Sequence, residues 1–441
     1  MKRPAQRLLD PIQDGLFHRM VAAYGGDPAT GRAIALALRD AIVDHARRRS
    51  PYYREVIGPD AAFEDIPILT KPILRRRLDD LLAEGVPAER RYPVRTSGST
   101  GEPVSLFRDT SQLLFEDPSG ERFSRWLHGV PLEATMVTVT SRGLGPPYRR
   151  FAHRVRKRLA RPGVRASLDP FLYGTTMATL TPERVRRELD IWQSFEQAFV
   201  VGHASGIHWI ADQIRRQGIQ LRRPPVAIAT NADMLDPHAH AAIEATFGVR
   251  VHTRYGSREM NRIATSLPGT IDRYAFNPFL VYAEVVDDAG RPVPPGVPGR
   301  LVLTDLNNLV MPLIRYDLGD IAIASDEIAG GFPVIEQILG RSSEVLTLPS
   351  GKVLATVTIG NVLFLEQDMG SWVRFYQCAQ TAENELELRV VWEDEPPPGL
   401  RERMVELLGS AADPDTVVRV RDVDDVGRLP SGKVWVVRRE F

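Results

Sequence analysis

Between residues 90 and 255, short apolar, β-rich runs alternate with helical stretches, and this alternation constrains the 441-residue chain more than any other feature. The runs MVTVT (136–140), QAFVVGH (197–203), VAIAT (226–230) and VRVHTRY (249–255) are separated by stretches such as TPERVRRELDIWQSF (181–195) and SGIHWIADQIRRQG (205–218). Strand and helix in repeated succession predict a mostly parallel sheet covered by helices, an α/β domain. Sites in such sheets lie outside the carboxyl ends of the strands, so the residues that follow each run are the first to inspect.

Ahead of this region, residues 30–49 space apolar side chains at helical intervals with Thr30 as N-cap, and Lys71–Glu84 predicts a second helix with proline in its first turn. Beyond residue 275 the pattern changes. FLVYAEVVDDAGRPV carries a DDAG turn between extended arms, and GRLVLTDL and PLIRYDLGDIAIA follow it, which are antiparallel signals. After LGRSSEV (339–345), strands at VRFYQCAQ, ELELRVVWE and TVVRVRDV and a helix at PGLRERMVELLG suffice for a small α+β domain. The expected architecture is a large amino-terminal α/β domain with mixed sheets covered by helices, 1–339, and a small mobile carboxyl-terminal α+β domain, 340–441.

Charge narrows the function. Lys+Arg and Asp+Glu both number 56, so the chain lacks the large positive field needed to coat nucleic acid or an anionic membrane. A small-molecule role is favoured. A single cysteine, Cys378, rules out an intramolecular disulfide and a cysteine zinc cluster, consistent with a cytoplasmic setting. The amino terminus lacks the apolar stretch of a signal peptide, and no run of about 20 apolar residues is present. One segment, 146–165, has eight Lys and Arg and no acid; it reads as a solvated helix face or as a patch for a phosphorylated ligand or acidic partner.

Two segments invite a phosphate-binding reading. Arg95–Val104 reads RTSGSTGEPV, two glycines and several hydroxyl residues between extended runs, and such a loop can cradle phosphate oxygens with backbone N–H groups. Gly427–Val434, GRLPSGKV, fits G-x-x-x-x-G-K, but valine stands where a Mg²⁺-binding hydroxyl is needed and seven residues follow, too few for that motif's sheet and helix. The P-loop reading fails. GHASG (202–206) places serine one position late for a nucleophile elbow, which argues against a serine hydrolase, and the histidine pairs 203/208 and 238/240 lack the pattern of a zinc site.

Read in order, TSGSTGEPV, YGSRE (255–259), RYDLGD (315–320), GRSSE (340–344) and LPSGK (429–433) resemble the signature segments of the adenylate-forming superfamily, and IPILTKPILRRR, VVGHASGIHWIA and MPLIRYDLGD are similar to its phenylacetate-CoA ligase-like branch. Singly, each segment has an ordinary reading as a turn or a surface acid; their order and spacing carry the resemblance. It implies an ATP-dependent, Mg²⁺-requiring enzyme that joins an acid to AMP and then passes the acyl group to coenzyme A. Thr96, Ser97, Gly98, Ser99, Thr100 and Gly101 would hold phosphates, and Glu259 would ligate Mg²⁺. Asn231, Ala232, Asp233, Tyr255, Gly256 and Ser257 would border adenine and the acyl pocket, Asp320 would accept from ribose hydroxyls, and Arg341 would sit near ribose and phosphate. His203 and Arg258 are candidates for the acid's pocket. Lys433 would bring an ammonium to the α-phosphate and the carboxylate in the transition state.

The chain departs from the family at several positions. Val104 stands where the superfamily loop often carries lysine, Ser343 occupies the hinge position usually held by Asp or Lys, and Asp233 and Arg258 replace frequent Glu and Thr. The acid is expected to be aromatic or a small acyl acid. Alternatives are transfer to an amine or carrier protein, an unconventional acid such as nitrous acid, or a non-catalytic nucleotide-binding homologue; Lys433, Glu259 and Asp320 count against the last. Lysine is rare, five against 51 arginines, and only Lys433 has a chemical reason to resist arginine.

Overall fold

The computed structural model describes residues 4–96, 104–140, 171–176, 181–231, 233–341, 345–365, 369, 372–427 and 436–441. Ser97–Gly101, Ala232, Ser343, Lys433 and the basic 146–165 segment lie outside the described residues, as does the side chain of Arg341. The chain is mixed α/β and divides into two compact units. One holds the described residues of 1–132 and 254–338, the other those of 133–146, 171–253 and 339–441.

In the second unit the strands β3 (Thr135–Thr140), β4 (Phe171–Thr176), β5 (Ala198–His203), β6 (Ala227–Asn231) and the start of β7 (Val251–Ser257) run in the order β7-β6-β5-β3-β4. Every neighbouring pair is parallel, as the alternating sequence requires. Residues 198–203 of β5 are buried throughout, and the Pro182–Ser194, Ala204–Arg216 and Pro237–Phe247 helices supply the crossovers. Gly202 has a packing reason: a Cβ there would lie 2.3 Å from the Val139 carbonyl oxygen.

In the first unit, β7 continues into a sheet of order β10-β11-β12-β13-β9-β8-β7, built from β8 (Asn261–Ser266), β9 (Tyr274–Phe276), β10 (Val281–Val286), β11 (Pro298–Asp305), β12 (Tyr316–Ala329) and β13 (Phe332–Arg341). The pairs β10–β11 and β11–β12 are antiparallel, as the turn-rich sequence after residue 275 predicts, and so are β7–β8 and β8–β9. A short hairpin of β1 (Arg91–Arg95) and β2 (Ser105–Asp109) stands apart. The core gathers Tyr53, Phe276, Leu303, Tyr316 and Phe332, and Phe17 and Met20 of the Pro4–Gly25 helix join it.

Residues 339–441 add β14 (Leu346–Thr347), β15 (Val353–Leu354), β16 (Val373–Ala382), β17 (Glu385–Trp392), β18 (Val417–Asp422) and β19 (Val437–Arg439). The last four form a sheet of order β18-β17-β16-β19 with the Leu400–Ala411 helix. Its core, from Leu346 through Tyr376, Leu388 and Met404 to Val437, draws every buried member from residues 346–437.

Two helix expectations need correction. Asp27, not Thr30, stands at the N-cap of the Pro28–Arg49 helix, because proline occupies the first helical position, where no N–H is needed. The expected Lys71–Glu84 helix is two short ones, Lys71–Arg76 and Leu78–Leu81. Arg77 leaves helical geometry and donates to Glu55 at 2.7 Å, a tertiary contact that outweighs the weak preference of so short a stretch.

Candidate active site

Within the first unit, three stretches distant in sequence meet. Leu69 forms a parallel bridge with Tyr316: the Leu69 N–H donates to the Arg315 carbonyl at 3.0 Å, and the Asp317 N–H donates to the Leu69 carbonyl at 3.0 Å. The IPILTK segment thus runs beside RYDLGD. Lys71 Nζ donates to the Leu318 carbonyl at 2.5 Å, and the Asp317 carboxylate accepts from the Gly319 N–H at 2.7 Å, so the turn carrying Asp320 is fastened from both sides. Gly319 adopts φ +85°, a conformation in which side-chain-bearing residues are strained.

The YGSRE segment joins the same patch. The Tyr255 hydroxyl donates to the Asp320 carboxylate. Gly256 admits a close approach of β8, since a Cβ there would lie 2.1 Å from the Asn261 carbonyl oxygen, and Asn261 itself takes φ 61°. The Ser257 hydroxyl accepts from the Met260 N–H at 3.1 Å, closing the turn. Arg258 is exposed and Glu259, next to it, is buried. The Tyr316 hydroxyl donates to Glu259 Oε1 at 3.3 Å; burial, then the adjacent Glu259 charge, pushes the phenol pKa up and keeps that proton in place.

Glu259 supplies a carboxylate oxygen, a hard donor of the kind Mg²⁺ takes when substrate phosphates and water complete its shell. The donor chemistry therefore fits the expected ion, although no cluster of three or more His, Cys, Asp and Glu groups exists among the described residues. The Thr96 Oγ1 accepts from the Val104 N–H at 2.9 Å while the Thr96 N–H donates to the Val104 carbonyl at 2.9 Å, so Thr96 fastens the base of the glycine-serine loop and keeps its hydroxyl proton to donate.

Beneath this patch lie buried ionic groups that carry no sequence signal of their own. Arg315, 2 % exposed and at φ 48°, is salt-bridged to Glu284 at 3.1 Å and donates to the carbonyls of Glu64, Ile66 and Gly290. It ties the start of RYDLGD to two other loops. Glu121 accepts from Arg125 at 2.8 Å and Arg254 at 2.8 Å and pairs with Arg262. Burial alone would raise its pKa, but the three guanidiniums outweigh burial and hold it well below the usual carboxylate range. Arg254 directly precedes Tyr255, so this cluster fixes the strand that presents YGSRE.

In the second unit, the ends of β5 and β6 bring His203 and Asn231 opposite one another. Asp233 accepts from the N–H groups of Ala204 at 2.6 Å and Ser205 at 3.1 Å and from the Ser205 hydroxyl at 2.5 Å, capping the Ala204–Arg216 helix. His203 Nδ1 lies 3.7 Å from the Asp233 carboxylate, and the ring is buried. His203, Asn231 and Asp233 are thus gathered at the carboxyl ends of parallel strands. His208 and His238 pack with rings 5.5 Å apart.

No family model matches the chain. Protein CapK of Staphylococcus aureus is 21% identical over 345 residues, 74% of this chain and 71% of that protein. A phenylacetate-coenzyme A ligase of Pseudomonas putida is 25% identical over 203 residues, 44% of this chain and 45% of the ligase. Among solved structures, 2-hydroxyisobutyryl-CoA ligase in the postadenylation state with 2-HIB-AMP matches with a TM-score of 0.71 at 19% identity, covering 94% of this chain and 90% of that one. The same ligase in its thioesterification state, with 2-HIB-AMP and CoA, matches with a TM-score of 0.55 at 18% identity over 93% and 90%. The fold is the one these acyl-adenylate-bound ligases have.

Proposed function

We propose that this chain, built on the adenylate-forming ligase fold and related in sequence to phenylacetate-coenzyme A ligases, is an ATP-dependent, AMP-forming acid ligase acting on an aromatic acid, with coenzyme A as acceptor. The observation that carries the reading is the Tyr255–Asp320 hydrogen bond, set beside Glu259–Tyr316: these pairs, 65 and 57 residues apart in sequence, join YGSRE and RYDLGD in one polar patch as a nucleotide site requires.

In the first step a substrate carboxylate oxygen attacks the α-phosphorus of ATP, a new O–P bond forms and the bond to pyrophosphate breaks. The Asp320 carboxylate, oriented by Tyr255 and by the turn fastened by Lys71, accepts from the ribose hydroxyls. Backbone N–H groups of Ser97–Gly101 bind the β- and γ-phosphates, with Thr96 closing the loop base. Glu259 would hold Mg²⁺ together with the phosphates, and the ion would supply positive charge to the leaving pyrophosphate. Tyr255, Gly256, Ser257 and the Asn231–Asp233 strand end border the adenine, and Arg341 lies near the ribose. The resemblance assigns His203 and Arg258 to recognition of the acid, and Lys433 to charge on the carboxylate and α-phosphate in the transition state. In the second step a thiolate attacks the acyl carbonyl carbon and AMP leaves with the electron pair of the C–O bond.

The division into an adenylation domain, 1–339, and a small domain, 340–441, is part of the proposal, and the separate core of residues 346–437 supports it. Hydroxylamine trapping of acyl-adenylates across a panel of aromatic, short-chain and inorganic acids identifies the acid. Addition of coenzyme A, amines or a phosphopantetheinylated carrier, with the product identified by mass, identifies the acceptor. An aromatic hydroxamate and a coenzyme A thioester are expected; an amide or carrier-bound product redirects the second step.

A further inference from the structure

Among the described residues, every buried member of the core of residues 346–437 comes from that stretch, yet it belongs to the same compact unit as residues 171–253. Their meeting surface is polar and aromatic. Asp212, on the Ala204–Arg216 helix and fully buried, accepts from Arg374 Nε at 2.9 Å through one carboxylate oxygen and from Arg374 Nη2 at 2.8 Å through the other. The fork matches the carboxylate geometrically, and a buried pair of this kind holds register more than it adds stability. Gln213 Nε2 donates to Asp212 at 3.0 Å, and Arg215 reaches both Asp212, at 3.8 Å, and Glu393, at 3.5 Å. Around this centre the His208 ring lies 5.0 Å from Phe375, and Gly360 closes on Asp236 and Pro237, where a Cβ would come within 2.8 Å of the proline ring.

We propose that Asp212 and Arg374 are positioning residues, a latch that seats residues 339–441 on the Ala204–Arg216 helix for the adenylation step and releases them for acyl transfer. The proposal rests on the ligase reading above. A body with its own core, seated through an ion pair and the ring contacts of His208 with Phe375 and of His238 with Phe364, can leave without opening that core, which suits a seat made and broken in each turnover. In 2-hydroxyisobutyryl-CoA ligase the match to this chain falls from a TM-score of 0.71 to 0.55 between the postadenylation and thioesterification states at nearly equal coverage, so that protein changes arrangement between its steps. The latch is the element of this chain placed to favour one arrangement.

The test separates the two half-reactions in the full-length enzyme. Arg374→Gln and Asp212→Asn are compared with wild type in acid-dependent exchange of labelled pyrophosphate into ATP, and in thioester formation from synthetic acyl-adenylate and coenzyme A. Exchange is expected to fall about tenfold or more in each variant while thioester formation stays within about twofold of wild type, and Arg374→Lys, a cation without the fork, is expected to lie between. The double variant should be no worse than either single one, as for two members of one contact. Equal loss in both half-reactions, or no loss in exchange, overturns the latch. Should the buried variants fail to fold by circular dichroism, Arg215→Met at the rim carries the same comparison, with a smaller selective loss expected and an unselective or absent one contradicting it. Absence of exchange in wild type with every acid instead removes the ligase reading beneath it.

Discussion

Arg315 and Arg374 each grip a buried carboxylate, but their surroundings differ in kind. Arg315 is sealed inside the first unit, wedged at positive φ between Glu284 and three carbonyl groups from two loops, within a core that includes Tyr53, Tyr316 and Leu303. Arg374 is one-fifth exposed and meets Asp212 where residues 339–441, which have a core of their own, lie against the Ala204–Arg216 helix. The first arginine has one arrangement open to it, because every group around it would be left unsatisfied by movement. The second has an alternative in water. A buried ion pair therefore means different things in the two regions: scaffold beneath RYDLGD in one, a separable seat in the other.

The largest expected effect tests the scaffold. Arg315→Met strands Glu284 and the loop carbonyls and should cost about 3 to 5 kcal/mol in urea denaturation. The corresponding Arg374→Met should cost about 1 to 2 kcal/mol, within the range of ordinary substitutions. Equal costs would erase the contrast.

Glu116 sharpens the comparison by showing what the first unit does to a carboxylate whose buried Oε2 has no hydrogen-bond partner. Burial, then Asp117, Asp305 and Asp109, push its pKa up to about 7. The raised value favours the neutral form in the folded state, so the stability it confers is complete below the unfolded pKa and is lost as pH rises through about 7. Glu116→Gln should match wild type near pH 4 and exceed it at pH 8 by up to about 3 kcal/mol. A constant difference across that range would show that Glu116 is not held in this way.

The smallest expected effect lies at the proposed nucleotide site. Tyr255→Phe removes one donor to Asp320 and should raise KM for ATP several-fold, on the order of 1 kcal/mol, with little change in unfolding midpoint. With 2′,3′-dideoxy-ATP, which offers no ribose hydroxyls, the penalty should shrink; an undiminished penalty would separate Tyr255 from ribose recognition.

Much of this was legible in the sequence because it depended on local pattern. Alternating runs foretold the parallel pairing among β3, β5, β6 and β7, though not β4, and the turn-rich residues after 275 foretold the antiparallel pairing of β10 to β12. The contact between YGSRE and RYDLGD follows the order of motifs. Partnerships between distant residues left no local trace: Asp212 and Arg374 stand 162 residues apart, and Arg315 reaches Glu64 across 251. Their nearest signal is a charged residue inside an otherwise apolar stretch, such as Asp212 in SGIHWIADQIRR, which must find a partner to be buried. The helix boundaries went wrong where tertiary contacts decided them, at Arg77. Lys71, in the IPILTKPILRRR stretch, gains a physical role: its slim ammonium fits beside Gly319, within 3.6 Å of where a Cβ would stand, and donates to the Leu318 carbonyl.

The central claim is that this chain forms an acyl-adenylate, and acid-dependent exchange of labelled pyrophosphate into ATP by the full-length protein tests it most directly. Exchange with at least one organic acid, abolished by omitting Mg²⁺ and suppressed in Lys433→Ala, is the predicted result. No exchange with any acid, together with no detectable ATP binding, would contradict it.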